Sequence, residues 1–160
     1  MTNPIGCNGG NMGICFNYIR DNGGIALSKD YLYEGKDTGS CRYKASMSSG
    51  SKVKGYSLVS SNENVIKQKL STVGPIAVAI NASPKSFNFY KSGIYNDKSC
   101  TKSVLNHGVV LVGYGTDSTA GDYWIIKNSW GTTWGENGYM RISRNREMCG
   151  INLYATYPVL

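Results

Sequence analysis

The apolar positions of this chain change period along its length. Met12, Cys15, Phe16 and Ile19 recur at helical spacing, and Gly23-Gly24 closes the run, which predicts a short amphipathic helix. Residues 28–51 mix Tyr, Gly, Ser and Lys without a sustained period and read as loop; residues 52–60 read as a strand. Ser60 with Glu63 three residues on fits a capping box, and Val65, Ile66, Leu70 and Val73 carry a second helix up to Gly74-Pro75. Residues 76–80 put β-branched side chains on one face of a strand and alanines on the other. Ser83-Pro84 starts a short helix through Phe87 to Tyr90, and three more strands follow at 107–114, 122–127 and 138–143. Helix and loop thus give way to a β-rich part near Gly50. The expected class is α+β, with domains at 1–50 and 51–160.

The 160 residues are about one domain's worth, by a prior of roughly 100–200 residues. Hydrophobic residues at 41% against 17% charged supply a core and argue against disorder. No apolar run approaches the ~18 residues of a membrane span. Met1-Thr2-Asn3-Pro4 shows no basic head followed by an apolar stretch, so no signal peptide is expected in the chain as given. Seventeen Lys and Arg against 10 Asp and Glu give a charge of +7. These charges are scattered and not interleaved with aromatics. A solvated surface is expected, with no nucleic acid and no membrane as partner.

The five cysteines, Cys7, Cys15, Cys41, Cys100 and Cys149, form no Cys-x-x-Cys pair, and His107 is the only histidine. A metal site or other cofactor is therefore not expected. The spread suits disulfides in an oxidising compartment, with at least one thiol left over.

A single histidine is most often structural. His107, however, opens the apolar run Val109-Val110-Leu111-Val112, and Asn128 follows another, Tyr123-Trp124-Ile125-Ile126. An Asn there could accept one imidazole N–H and hold the ring in one tautomer, as a general base requires. The other reading, an Asn in a turn beside core tryptophans, stays open on Asn128 alone.

A set of ordered motifs decides between them. Gly6-Cys7-Asn8-Gly9-Gly10, Gly74-Pro75-Ile76-Ala77-Val78-Ala79-Ile80 and Phe89-Tyr90-Lys91-Ser92-Gly93-Ile94-Tyr95 come first. Asn106-His107-Gly108-Val109, Gly113-Tyr114-Gly115, and the run from Tyr123 through Lys127-Asn128-Ser129-Trp130-Gly131 follow. Trp134-Gly135-Glu136-Asn137-Gly138-Tyr139 and Cys149-Gly150-Ile151 complete the series. In order and spacing the chain resembles the papain-like cysteine peptidases, most closely their cathepsin L-like branch.

The resemblance implies a papain-like two-lobe fold: an incomplete helical lobe and a β-barrel-like lobe carrying His107 and Asn128. It implies His107 as the catalytic histidine of a Cys-His-Asn mechanism, Asn128 as its orienting residue and Trp130 as their shield. Gly9 and Gly10 match the strip that pairs with an extended substrate backbone. Trp134 matches a wall on the leaving-group side. Met12, Ala79, Leu105 and Ala155 match the lining of the pocket for the second residue before the cut, which favours apolar side chains. Cys100 and Cys149 match a complete family disulfide, whereas Cys7 and Cys41 match cysteines whose partners precede Met1. Cys15 has no family partner and reads as a buried small hydrophobe.

No cysteine here has the family nucleophile's context, Cys-Gly-[Ser/Ala]-Cys-[Trp/Tyr], which would fall about 23–43 residues before Met1. The expected function is a cysteine endopeptidase, lysosomal or extracellular, with this chain inactive alone. Its expected partners are an extended polypeptide substrate or inhibitor and the missing N-terminal segment. The alternatives are a non-catalytic relative with serine at the nucleophile position and a truncated peptide-binding module. Residues 1–50, lacking the nucleophile's helix, are expected to be loosely held and to expose apolar surface. Asn81-Ala82-Ser83 is a candidate glycosylation site, disfavoured by Pro84.

Overall fold

A computed structural model describes residues 6–37 and 39–160. The leader-peptide reading of residues 1–4 lies outside them. The chain forms two compact units, one of residues up to Ser57 with Pro158–Leu160, the other Leu58–Tyr157.

In the first unit, helix α1 (Met12–Asp21) starts where Asn11 Oδ1 accepts from the Gly13 and Ile14 N–H groups, at 2.9 and 3.3 Å. It ends where Gly24 donates to Ile19 O at 2.9 Å. Gly24 has φ 141, and a Cβ there would lie 2.2 Å from Ser48 Oγ, so glycine is required. The following loop contains a 3-10 turn at Ala45–Met47 and is tied back by Ser49 N–H donating to Ile25 O at 2.8 Å. Met12, Phe16 and Ile19 are half-buried, and Cys15 is exposed, which corrects its reading as a buried hydrophobe. The apolar stripe exists, but no buried side chain faces it among the unit's described residues, where Gly13 and Gly24 alone are buried.

Strand β1 (Gly55–Val59) crosses the junction, and helix α2 (Glu63–Val73) follows. Its cap is Asn62, whose Oδ1 accepts from Asn64 and Val65 N–H at 2.8 and 3.4 Å. The capping box from Ser60 to Glu63 is thus corrected: Glu63 turns inward. Its carboxylate accepts from Trp124 Nε1, Asn145 N and Glu147 N, each at 2.8 Å.

The remaining elements are β2 (Ile76–Ile80), α3 (Lys85–Asn88), β3 (Ile94–Tyr95), β4 (His107–Asp117), β5 (Gly121–Lys127), β6 (Tyr139–Ser143) and β7 (Ala155–Val159). The sheet order is β1-β7-β2-β4-β5-β6-β3. β2 pairs antiparallel with β7 and β4, and β5 antiparallel with β4 and β6, while β3 lies parallel to β6. Along β2 the pattern is strict: Ile76, Val78 and Ile80 are buried, Ala77 and Ala79 half-buried. Ile66, Phe87, Leu111, Trp124, Ile126 and Ile142 close on the same core. Cys100 and Cys149 are disulfide-bonded. No helix among the described residues is long and apolar enough to cross a membrane.

Candidate active site

Antiparallel pairing brings the two candidate residues together. Val110 of β4 lies opposite Lys127 of β5, so the start of β4 meets the end of β5. His107 is the first residue of β4 and Asn128 the first after β5. Asn128 is held by its own N–H, which donates to Gly138 O at 3.0 Å. Its Oδ1 lies 2.8 Å from His107 Nε2.

The proton's place follows from a third group. Ser129 N–H, which can only donate, points at the same Asn128 Oδ1 from 2.8 Å. The atom facing it is therefore the amide oxygen, not the nitrogen. Oxygen only accepts, so Nε2 carries the proton and Nδ1 keeps its lone pair for base work. Asn128 is 9% exposed, and its Nδ2 has no partner among the described residues.

The Trp130 ring lies against the imidazole, centroids 5.0 Å apart and planes tilted 30°. Phe87, wholly buried, meets Trp130 edge-on at 5.6 Å and packs against Trp134 at 5.7 Å. Trp134 is itself buried, its Nε1–H donating to Asn88 O at 3.1 Å. It meets Trp130 edge-on, centroids 5.4 Å apart.

Other predicted residues are dispersed. Gly9 and Gly10 are exposed and Met12 half-buried, all in the first unit; a Cβ on Gly9, at φ 99, would meet nothing within 4 Å. In the second unit Ala79 lies opposite Gly108, and Leu105 is 38% exposed. Ala155 requires a correction. It pairs with Val78 on the core face and is 1% exposed, so it does not line the face of Ala79. Strand neighbours alternate faces, so Tyr154, whose carbonyl accepts from Ala79 N–H at 3.0 Å, stands on that side. The pairing register reveals this; the motif match alone did not.

No group of three or more His, Cys, Asp or Glu side chains among the described residues is placed to hold a metal ion. Asn81 of the glycosylation motif is 5% exposed, with its amide engaged at both ends.

The site thus consists of an imidazole held in one tautomer by a neutral amide, with an indole against it, at the end of a sheet strand. Comparison with known proteins gives the family. Residues 1–159 match the family model described as papain family cysteine protease. The cathepsin L of Sarcophaga peregrina is 46% identical over 156 residues, which are 97% of this chain and 46% of that protein. Procathepsin L of Mus musculus is 45% identical over 159 residues, 97% of this chain and 47% of its own. Digestive procathepsin L 3 of Tenebrio molitor superposes with TM-score 0.90 at 44% identity, covering 98% of this chain and 50% of that one. Bromelain of Ananas comosus, solved with the E64 inhibitor, gives TM-score 0.87 at 38% identity over 100% of this chain and 74% of its own. The chain belongs to the papain family of cysteine proteases, has its α+β fold, and is similar to cathepsin L-like members. It spans about half the length of the curated relatives it matches, 46% in the first case.

Proposed function

We propose that this chain supplies the general-base unit of a cathepsin L-like cysteine endopeptidase, with His107 as base, Asn128 as its orienting partner and Trp130 as their cover. The couple from Nε2–H to Asn128 Oδ1, with the amide's orientation set by Ser129 N–H, carries this reading. A thiolate paired with the imidazolium attacks the peptide carbonyl, and His107 then gives its Nδ1 proton to the departing amine. The acyl-enzyme is released by water that the same nitrogen deprotonates.

Residues 1–50 are the remainder of a helical lobe and 51–160 the β-rich lobe. Gly9 and Gly10 leave room for an extended substrate backbone. Ala79 and Leu105, with Tyr154 in the place first given to Ala155, select an apolar side chain before the cut. A lysosomal or extracellular setting suits the Cys100–Cys149 bond.

The second unit contains no free thiol, since its two cysteines are bonded to each other. The free thiols of the first unit, Cys7, Cys15 and Cys41, lack the nucleophile's context Cys-Gly-[Ser/Ala]-Cys-[Trp/Tyr], so in this reading the nucleophile comes from other polypeptide and residues 1–160 alone are inactive. The test compares the purified chain with the chain co-folded with a polypeptide bearing Gln and Cys-Gly-Ser-Cys-Trp. E64-sensitive peptide hydrolysis is expected only for the second, falling on the order of 100-fold or more in His107→Ala. E64-sensitive turnover by the chain alone overturns its inactivity; a co-folded protein that binds peptides without cutting them overturns the endopeptidase reading.

A further inference from the structure

We propose that Asn81 and Asn106 form a latch that fixes His107 in its working orientation, with Asn81 a positioning residue and not a glycan acceptor. The proposal rests on the reading of His107 as general base.

His107 opens its strand, so the sheet restrains it on one side only. The segment before it, residues 101–106, is exposed throughout. A histidine at such a place frays unless the loop is tied at both ends, and the two asparagines tie it. At the loop's start, Asn81 Nδ2 donates to Thr101 O at 2.9 Å, and Asn81 Oδ1 accepts from Ser83 N–H at 3.0 Å. The Asn81 backbone N–H donates to Cys149 O at 2.9 Å, anchoring the tie beside the disulfide.

At the loop's end, Asn106 N–H donates to Ile80 O at 3.0 Å, and Ile80 is the register partner of His107. Asn106 Oδ1 accepts from Ala82 N–H at 2.9 Å, and its Nδ2 donates to Ser83 Oγ at 2.7 Å. The turn after β2 and the approach to β4 are thereby stitched together residue by residue. Between the ties the loop rests on Gly150, where a Cβ would come within 3.0 Å of Leu105 Cδ2.

A buried amide with donor and acceptor both engaged is expensive to expose. Attaching a sugar to Asn81 Nδ2 requires that atom to leave Thr101 O for solvent, which would open the latch.

His107 is the only histidine, so its ring nitrogens can be read in the full chain by nuclear magnetic resonance without assignment. At about pH 8, where free imidazoles are neutral, the wild-type chain should show a single tautomer protonated on Nε2, with slow N–H exchange. Asn106→Ala should mix the tautomers and speed that exchange by roughly 10-fold or more. Asn106→Asp keeps the acceptor for Ala82 N–H and should recover most of the effect. Asn81→Ala should match or exceed Asn106→Ala; if it fails to fold by circular dichroism, the exposed Asn106 decides. A folded Asn106→Ala chain with wild-type tautomer and exchange overturns the proposal, as does a glycan found on Asn81 of folded, secreted chain. None of these readings needs a nucleophile, so a co-folded protein that cuts nothing would refute the endopeptidase and leave the latch standing.

Discussion

Among the described residues up to Ser57, Gly13 and Gly24 are the buried positions, while the apolar core from Ile66 to Ala155 lies wholly within Leu58–Tyr157. The first unit exposes Ile25 at 48%, Leu32 at 66% and Tyr33 at 95%; the second encloses Trp124 and Phe87 completely. The first has local helix capping, turns and surface ion pairs such as Arg20–Asp21. A helix cap contributes about 1 kcal/mol and an exposed ion pair is screened by water, whereas fully burying one large apolar side chain contributes roughly 1.5–3 kcal/mol. One unit is stable through its interior; the other has local order without an interior.

The largest expected effect tests that contrast directly. Amide exchange should show β2, β4, β5 and β6 protected at least ~100-fold more than the amides of residues 6–50, since core elements open only near global unfolding. Trypsin should cut first in the first unit, at Lys36, Arg42 or Lys44. Near-uniform protection across both units would break the comparison.

A smaller effect sharpens it within the second unit. Glu63 is 8% exposed and joins the start of α2 to β5 and to the turn after β6. Glu63→Ala leaves three donors without their acceptor and should lower stability by about 3 kcal/mol or more in chemical denaturation. Asn62→Ala, which removes only a helix cap, should lower it by about 1 kcal/mol. Equal losses would show that the carboxylate acts as a local cap after all.

These two residues also show what the sequence makes legible. Helix α2 was readable from Ile66 and Leu70, because helical period is a local signal. Its cap was misplaced by two residues because Ser60 and Asn62 are both good caps and only the backbone path selects one. The role of Glu63 was invisible, since its partners lie 61 to 84 residues away. Strand β3 was missed because two residues, Ile94 and Tyr95, carry no period and exist as strand only beside β6. His107 and Asn128 were found through ordered motifs, and their adjacency follows from antiparallel pairing. Ala155 and Tyr154 show the limit of that route. A strand reverses its face at every residue, so matching a motif without its register puts the wrong neighbour in the pocket.

The smallest effect concerns charge at the far edge of the sheet. Glu136 accepts from Arg141 Nη2 at 2.7 Å and Nε at 3.0 Å, and from Gly93 N–H at 2.9 Å. The Arg141 hydrogen bonds, chiefly, hold its carboxyl below the ordinary value of 4.5. A carboxylate with a lowered folded-state pKa contributes stability that is fully present above its unfolded value and is lost as pH falls through the folded one. Glu136→Gln should therefore destabilise the second unit at neutral pH, by an amount kept small because the pair is partly solvated. The gap between variant and wild type should narrow as pH falls below about 4.5 and close at lower pH. Thermal melts across that range read it. A gap that stays constant with pH would mean that Glu136 acts through shape and not through charge. Arg141 would then be held at β6 by its cation–π contact with Tyr123, at 5.6 Å, without the carboxylate's help.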